Sequence, residues 1–377
     1  MAKKGKHLAK NLKNQEDIPS AAPEKQRSYD KKQWKDRAAA PREAEEAAPK
    51  KRSKVKVILT AVLVVILIVA LLGTGIMIYA LSRINRDHHT DYLPAEEETF
   101  DKDDMPVNTE GLDPNQVEWG SVDTIQGEHV YNLLLIGQDR REGEGRARSD
   151  SMIIVSINTK TNKIHLVSLL RDLYVQIPGY SDNRINAAYM LGGMELLDDT
   201  IEENFGVHID GNIEVDFEGF IRAVDIVGGI DLELTSSEAY VINSETGSWL
   251  GEGMNHLNGE EALTYARIRK LDSDFGRTER QRNVLTALAA EVRSASLTEL
   301  TTLVNEILPL VTTDLSNTQI LKYAAMVLPM ISDSDNLETG CVPQDDAYSN
   351  EYIREMSVLL PDLPKCREYL QELLYGE

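Results

Sequence analysis

The stretch from residue 131 to residue 170 reads YNLLLIGQDRREGEGRARSDSMIIVSINTKTNKIHLVSLL and contains three apolar runs. The runs Tyr131–Gly137, Ser151–Asn158 and Lys163–Leu170 have the length and β-branched content of buried strands. A short polar turn joins the last two, which predicts a hairpin. A helical pattern follows at Asn186–Phe205 and ends before a glycine. Strands that alternate with helices predict an α/β fold, and the hairpin makes its central sheet mixed, flanked by helices as an α-β-α sandwich.

Downstream of that helix the pattern alternates again between short strands and helices. We expect strands at Asn212–Phe217, Ile230–Leu234 and Glu338–Val342. We expect helices at Glu218–Val227, Leu257–Ile268, Thr278–Ser296, Leu297–Leu310, Thr318–Met330, Glu351–Leu359 and Pro364–Leu374. Loops are expected at Gly179–Asn183 and Thr235–Met254.

Charge is distributed unevenly along the chain. Residues 1–56 hold 17 basic and 8 acidic residues, whereas the rest holds 23 basic and 54 acidic ones. Val57–Leu81 has no charged residue, and a helix of that length would span about 37 Å, enough to cross a bilayer core of about 30 Å. The lysine-rich flank before it should stay inside the cell, so the C-terminal part should lie outside a cell membrane that the chain crosses once. A cleaved signal peptide is the alternative, although its apolar core is normally about 7–15 residues.

These features divide the chain into four parts. Residues 1–54 are expected to be a disordered basic cytoplasmic tail, 55–82 a transmembrane helix, 83–125 a solvated acidic stalk, and 126–377 a folded extracytoplasmic domain. Residues 131–377 hold 5 Lys and 15 Arg. Arg suits bidentate recognition of carboxylate or phosphate. The net acidic charge of the domain argues against nonspecific binding of nucleic acid.

Four stretches place Arg beside Asp near predicted strand or helix ends. They are Gly137–Arg141, Arg146–Asp150, Leu170–Asp172 and Arg267–Gln281. Open α/β sheets bind ligands at such strand ends. Arg277 and Arg280 would lie in the first turn of a predicted helix with Gln281 on the same face, where an anion could use the helix N-terminus. A surface ion pair explains any single stretch, but their repetition favours a phosphate-bearing substrate.

Two carboxylates near these arginines could hold a metal ion. Asp139 and Asp150 come from different predicted loops, and Mg²⁺ prefers one or two carboxylates together with water and phosphate oxygens. Phosphoryl transfer uses such a cation and a carboxylate that takes a proton from the attacking hydroxyl. The sequence has no Walker A, dinucleotide-binding or G-x-S-x-G motif. Cys341 and Cys366 could form a disulfide outside the cytoplasm or remain free thiols.

The order of these motifs resembles the LytR–CpsA–Psr family. The resemblance covers about residues 130–290. It rests on the ordered string Asp139, Arg148-Ser149-Asp150, Ser168, Arg171-Asp172, Asn186-Ala187, Asp225-Ile226-Val227-Gly228-Gly229, Leu257-Asn258-Gly259-Glu260-Glu261-Ala262-Leu263, Arg267-Ile268-Arg269, Asp274-Phe275-Gly276-Arg277 and Arg280-Gln281. Residues 291–377, which we expect to be helical, lie beyond that string.

The resemblance implies a cell-wall enzyme of mainly Gram-positive bacteria. Such a phosphotransferase moves a glycopolymer, for example teichoic acid or capsule, from a polyprenyl-pyrophosphate carrier to peptidoglycan as a phosphodiester. The resemblance also implies a hydrophobic tunnel for the lipid, and Mg²⁺ or Mn²⁺ as cofactor. By the same resemblance, Asp139 and Asp150 would bind the metal, and Asp150 would also act as the base. The pyrophosphate would be bound by Arg148, Arg171, Arg269, Arg277, Arg280 and Gln281. The candidate catalytic residues are Asp150, Arg171, Arg277 and Arg280.

The chain departs from the family pattern at two places. Leu170 stands where the family usually has Pro. The loop Lys270–Ser273 is short and offers Asp272 where a cation is expected. The same residues are also compatible with a pyrophosphatase that hydrolyses the lipid carrier, or with a non-catalytic polyprenyl-lipid-binding regulator of the cell envelope.

Overall fold

The computed structural model describes residues 78–87, 92–95, 98–100, 102–103, 110–120, 122–125, 127–138 and 146–376. The tail predicted at 1–54, nearly all of the transmembrane segment predicted at 55–82, and Asp139 lie outside these residues. Within them, no helix combines the length and the apolar character needed to cross a membrane.

Strands and helices alternate along the described domain. The strands are β1 (Asn85–Arg86), β2 (Val130–Gln138), β3 (Ser149–Asn158), β4 (Lys163–Leu169), β5 (Tyr174–Val175), β6 (Asn183–Arg184), β7 (Gly211–Asp216), β8 (Ile230–Leu234), β9 (Gly253–Leu257), β10 (Val311–Thr313), β11 (Leu337–Val342), β12 (Tyr348–Ile353) and β13 (Met356–Pro361). The helices are α1 (Asn186–Phe205), α2 (Phe217–Ile226), α3 (Ser236–Thr246), α4 (Gly259–Arg267), α5 (Asp274–Ser294), α6 (Leu297–Ile307), α7 (Asn317–Met330) and α8 (Leu363–Tyr375).

A seven-stranded mixed sheet in the order β1-β10-β7-β2-β3-β4-β11 forms the centre of the domain. The hairpin β3–β4 is antiparallel, as predicted, and β2 pairs with β3 in the same sense. The pairs β2–β7 and β4–β11 are parallel. The prediction of a mixed central sheet is therefore confirmed.

Helices cover both faces of the sheet. Leu134 and Ile154 pack against α1 and α8 on one face. Leu133 and Ile153, their neighbours in sequence, belong to the cluster on the other face, where α7 contributes Tyr323. Successive strand residues point to opposite faces, so apolar runs such as LLLI in β2 supply two cores at once. The result is the α-β-α arrangement expected from the sequence.

A smaller unit packs beside the sheet and carries two of the motifs quoted above. The ribbon β8–β9 and helices α2, α4 and α5 share a core that includes Ile230, Leu257 and Tyr265. Asn258 caps α4, and the Gly259 amide donates to Asp225 Oδ1 over 2.7 Å. A Cβ at Gly259 would lie 2.2 Å from the Ile221 carbonyl oxygen. These motif residues are therefore structural: they hold α4 tightly against α2.

Three expectations about secondary structure were wrong. The helix expected at Glu351–Leu359 is the hairpin β12–β13, whose buried residues alternate along β13 and whose turn has positive φ at Arg354 and Glu355. The loop expected at Thr235–Met254 contains α3, which begins with a capping box between Thr235 and Glu238. The helix expected from Thr278 begins at Asp274. Capping and turn geometry determine the structure in these cases, and apolar spacing alone does not indicate either.

The segment expected to be a solvated stalk packs on the domain wherever it is described. Arg86 lies in β1 at the edge of the central sheet. The Trp119 ring stacks 6.1 Å from that of Tyr174, and its Nε1 donates to Asp182 over 2.7 Å. The acidic composition predicted solvation, but these interspersed side chains supply contacts that bind the segment to the folded part.

Candidate active site

An apolar cavity of about 300 Å³ lies between the central sheet and helices α2, α4 and α5. Leu135, Ile153 and Ile213 form its floor on the sheet, and Phe220 and Leu285 are among the helical residues that face them. The cavity is on the α7 side of the sheet, where β2, β3 and β7 lie next to one another. A cavity walled by aliphatic and aromatic side chains suits a hydrocarbon ligand.

The polar lining of this cavity comes from residues that are far apart in sequence. Asp150 begins β3, Arg269 follows α4, and Arg277 and Gln281 share one face of α5. Gln281 is held in place because its Oε1 accepts a hydrogen bond of 3.0 Å from Ser151 Oγ. The sequence predicts a loop at Asp150, but the residue lies in β3, which fixes its backbone within the sheet.

Asp150 connects two arginines from different elements. Its Oδ1 accepts hydrogen bonds from Arg171 Nη1 at 2.9 Å and from Arg269 Nη2 at 3.3 Å. Arg171 follows β4, so the two sheet strands bring Asp150 and Arg171 together, and the end of α4 brings Arg269. Charge-assisted bonds of this kind are stronger than neutral ones. The structure thus brings together three of the predicted site residues.

Arg277 is the most deeply buried charge in this cluster, with 2% of its surface exposed. Its Nη1 lies 2.9 Å from Asp274 Oδ1, but the geometry is not that of a hydrogen bond, and no guanidinium nitrogen has a hydrogen-bond partner among the described residues. Burial, together with the nearby charges of Arg171 and Arg269, lowers the pKa of Arg277 although Asp274 opposes this. A buried cation with unused donors at the wall of a cavity is a ready binding group for an anion.

Two carboxyl groups near Arg277, those of Asp172 and Asp274, shift each other's pKa in opposite directions. Burial raises the pKa of Asp172 to about 6, and its side-chain hydrogen bond to Asp274 adds to this, while Arg171 and Arg184 oppose it. Asp274 is also buried, but the bond from Asp172 and the arginines nearby lower its pKa. Sequence reasoning gave no role to this pair. The adjacent charges Arg171-Asp172 and Asp274 were visible, but their proximity depends on the fold.

Arg280 and Arg148, both predicted to bind pyrophosphate, lie apart from the cluster formed by Asp150, Arg171, Arg269 and Arg277. Arg280 donates to both carboxylate oxygens of Asp272 at 2.8 and 2.7 Å, to Glu238 at 3.3 Å and to the Ile268 carbonyl at 2.9 Å. It therefore clamps the short loop that precedes α5.

Arg148 Nη1 donates to Asn186 Oδ1 at 3.4 Å, and its Nη2 donates to the Thr99 carbonyl oxygen at 2.9 Å. Neither arginine lines the apolar cavity.

The expected position of the arginines at the start of a helix needs correction. Because α5 begins at Asp274 after the N-cap Ser273, Arg277 is its fourth residue and Arg280 lies a turn further on. An acidic residue, as the helix dipole prefers, occupies the first position. An anion at Arg277 would therefore meet the side-chain donors of α5 and not the free backbone amides of its first turn.

The residues described here offer one of the two predicted metal ligands. Asp150 supplies a carboxylate, the donor type that Mg²⁺ prefers, at the wall of the cavity. Within the described ranges, no group of three or more His, Cys, Asp or Glu side chains is arranged to hold a metal ion. Oxygen atoms of a bound phosphate would complete such a site, as is usual for Mg²⁺. The two cysteines of this part of the chain are free thiols, and Cys366 is buried.

Several known proteins are similar to this chain. The polyisoprenyl-teichoic acid–peptidoglycan teichoic acid transferase TagU of Oceanobacillus iheyensis is 40% identical over 175 residues, which cover 44% of this chain and 53% of that protein. The regulatory protein MsrR of Staphylococcus aureus is 34% identical over 171 residues, which cover 45% of this chain and 51% of that protein. The chain thus spans about half the length of these two curated relatives.

Solved structures share the fold described above. The LytR-CPS2A-psr family protein YwtF (TagT) with bound octaprenyl pyrophosphate lipid has a TM-score of 0.53 and 26% sequence identity, and the match covers 68% of this chain and 96% of that one. The LytR_cpsA_psr family model matches residues 95–373, which is most of the chain, and this protein therefore belongs to the LytR_cpsA_psr family.

Proposed function

We propose that this protein is a phosphotransferase that moves a glycopolymer from a polyprenyl-pyrophosphate carrier to peptidoglycan as a phosphodiester. One observation carries the proposal: an apolar cavity of about 300 Å³ has a buried guanidinium, that of Arg277, in its wall, with no hydrogen-bond partner among the residues described. The apolar cavity suits a prenyl chain, and the buried guanidinium suits a pyrophosphate. A teichoic acid transferase among the relatives and a relative with bound octaprenyl pyrophosphate support the same pair of ligands.

Each part of the donor has a matching part of the site. The prenyl chain would be bound by aliphatic and aromatic side chains such as Ile213 and Phe220, which removes apolar surface from water. The pyrophosphate would bind Arg277, Arg269 and Arg171, whose planar groups match phosphate oxygens. Gln281, held by Ser151, would donate through its amide nitrogen.

Transfer requires one bond to form and one to break. The oxygen of an acceptor sugar hydroxyl attacks the phosphorus next to the glycopolymer, the bond from that phosphorus to the bridging oxygen breaks, and polyprenyl phosphate leaves with the bonding electrons. Asp150 is our candidate for the base that takes the hydroxyl proton. Mg²⁺ or Mn²⁺ held by Asp150 and Asp139 would supply positive charge to the phosphate oxygens. Arg171 and Arg269 would orient Asp150 and stabilise negative charge on the leaving group.

We further propose that the protein acts at the outer face of the cell membrane of a Gram-positive bacterium. The uncharged segment Val57–Leu81 would cross the bilayer once, with the basic tail inside. Such an anchor would keep the cavity near a donor that stays in the lipid phase.

The proposal is tested with the full-length chain in detergent, a polyprenyl-pyrophosphate-linked sugar, Mg²⁺ and peptidoglycan fragments. We expect a phosphodiester-linked product, and we expect Arg171→Ala to reduce its formation at least 100-fold while thermal unfolding remains cooperative. Release of polyprenyl phosphate together with a sugar phosphate, without coupling to the acceptor, would instead establish a pyrophosphatase. Tight donor binding with no product of either kind would establish a non-catalytic regulator, a reading that similarity to the regulatory protein MsrR keeps in view.

A further inference from the structure

A second cavity, of about 400 Å³, lies between the beginning of α5 and the hairpin β12–β13. Phe275 and Tyr348 both line it and pack against each other, with ring centroids 5.5 Å apart and planes inclined by 33°. Asp172, Asp345 and Asn350 supply polar groups around the rings. The second wall is the hairpin at the position where the sequence predicts a helix, so the sequence pattern gives no indication of this cavity.

This lining has the chemistry of a carbohydrate site. Aromatic rings pack against the C–H face of a sugar ring, while carboxyl and amide groups take its hydroxyl and acetamido groups as hydrogen-bond partners. Burial and the bond to Asp274 raise the pKa of Asp172 to about 6. Near that pH its carboxyl group carries a proton part of the time and can act as a donor as well as an acceptor.

The charged groups of the cavity distinguish between the two substrates of the proposed reaction, the glycopolymer donor and the peptidoglycan acceptor. Three carboxyl side chains, those of Asp172, Asp274 and Asp345, line it, and none of its described lining residues is Lys or Arg. A phosphate in a glycopolymer backbone would find no cationic side chain in this lining. A neutral amino sugar needs none, and the glycan strand of peptidoglycan consists of amino sugars.

The two cavities meet at shared ion pairs. Asp274 lines the second cavity, and its partner Arg277, 2.9 Å away, lines the first. Asp172 lines the second cavity, and its Oδ2 lies 3.5 Å from Nε of Arg171, which also holds Asp150. A sugar in the second cavity would therefore lie one side-chain pair away from a phosphate at Arg277.

We propose that this cavity binds an amino-sugar residue of the peptidoglycan acceptor and directs its hydroxyl to the donor phosphate. The inference deepens the proposed function and rests on it. The contiguous aromatic surface of Phe275 and Tyr348 packs against the sugar ring. Asn350 and Asp345 recognise its substituents, and Asp172 lies on the side nearest the arginines. These residues are positioning residues for the acceptor and take no part in holding the lipid.

The test compares the full-length chain in detergent with Tyr348→Ala and Asn350→Ala, using an uncrosslinked peptidoglycan tetrasaccharide as acceptor. Tyr240→Ala is the matched control, because Tyr240 lies on α3 with 74% of its surface exposed. Loss of a stacking contact or a hydrogen bond should raise the KM for the tetrasaccharide about 5–10-fold. The KM for the donor lipid should stay within about two-fold in every variant. An unchanged acceptor KM in both cavity variants, or equal changes for donor and acceptor, would overturn the inference.

A second measurement separates this inference from the proposed function. Saturation-transfer NMR reports binding of the tetrasaccharide to the wild-type chain without any turnover. If the wild type binds the saccharide and the two variants bind it weakly, the cavity is a saccharide site even if no transfer product forms. If the wild type forms product but both variants bind the saccharide as the wild type does, the acceptor binds elsewhere and the inference fails.

Discussion

Replacement of Arg277 or Arg280 by Met should change the stability of the protein in opposite directions, although the two residues lie one turn apart on α5. Arg277 is 2% exposed and Arg280 is 4% exposed, so burial alone does not distinguish them. Their partners do. Arg280 donates four hydrogen bonds, two of them to Asp272. The Arg277 guanidinium has no hydrogen bond to any described residue and a single carboxylate beside it, that of Asp274.

The expected magnitudes follow from these contacts. Arg280→Met leaves Glu238, whose side chain is 12% exposed, without this partner and releases the loop at Asp272. Breaking a buried ion pair from one side costs about 3–5 kcal/mol, and we reduce this to about 2–4 kcal/mol because Asp272 is 42% exposed and can be hydrated. Arg277→Met removes a buried cation with unused donors, each of which costs about 1–3 kcal/mol. The lost attraction to Asp274 offsets part of this gain, so the variant should be about 0–2 kcal/mol more stable than the wild type.

Chemical unfolding of the full-length chain in detergent, followed by near-UV circular dichroism, measures both changes. A difference of about 4 kcal/mol between the variants corresponds to roughly 10 °C in Tm for a domain of this size. Arg277→Met should also bind the donor lipid much more weakly, because the pyrophosphate of the donor would bind the guanidinium. Equal destabilisation by the two substitutions would show that Arg277 is a structural clamp like Arg280, and the assignment of Arg277 to an anion would then fail.

Three further predictions concern the cavity and its charges. Leu285→Trp should fill the apolar cavity and raise the KM for the donor lipid at least 10-fold, whereas Leu321→Trp on the exposed side of α7 should not; equal KM values would remove the cavity from the donor site. Asp150→Asn should reduce turnover at least 100-fold through loss of the base and of a metal ligand, and turnover within 10-fold of wild type would exclude both roles. Asp172→Asn should flatten the pH dependence of the unfolding free energy between about pH 4 and 6, as measured by denaturant titration at several pH values. The folded pKa of about 6 exceeds the unfolded value of 3.8, so the contribution of Asp172 to stability is complete below pH 4 and lost as the pH rises through 6; parallel curves for variant and wild type would contradict that assignment.

Much of the fold was predictable because the apolar runs are long and regular. The three runs in residues 131–170 became β2, β3 and β4 within one or two residues, and Asn186–Phe205 became α1. The hairpin at Glu351–Leu359 was missed because its apolar residues suit either spacing, and the turn at Arg354 carries no glycine to mark it. In α3 the capping residues Thr235 and Glu238 were visible in the sequence, but the helix buries only Ala239 and Ile242 and so has little apolar spacing to indicate it.

The candidate site was predictable as a set of residues but not as an arrangement. The Arg–Asp stretches near strand and helix ends identified Asp150, Arg171, Arg269 and Arg277, and the family resemblance added their expected roles. Nothing in the residue types distinguished Arg277, which faces the cavity, from Arg280, which faces Asp272. That distinction depends on where α5 begins. It begins at Asp274, four residues before the position that apolar spacing indicated.

The charges of the site favour the proposed metal ion in addition to the arginines. Arg171 and Arg269 already donate to Asp150, and Arg277 lies beside Asp274. These arginines are thus balanced by nearby carboxylates, and a pyrophosphate brings at least two further negative charges into a partly buried position, where uncompensated charge is costly. Arg277 offers hydrogen-bond donors, but its single positive charge, which lies beside Asp274, cannot neutralise two phosphate groups. Asp150 would hold a divalent cation that supplies the missing positive charge, and Arg171 and Arg269 would donate to the phosphate oxygens. In this proposal, the Asp150 carboxylate would bind the metal, and in the absence of donor it holds Arg171 and Arg269 in place.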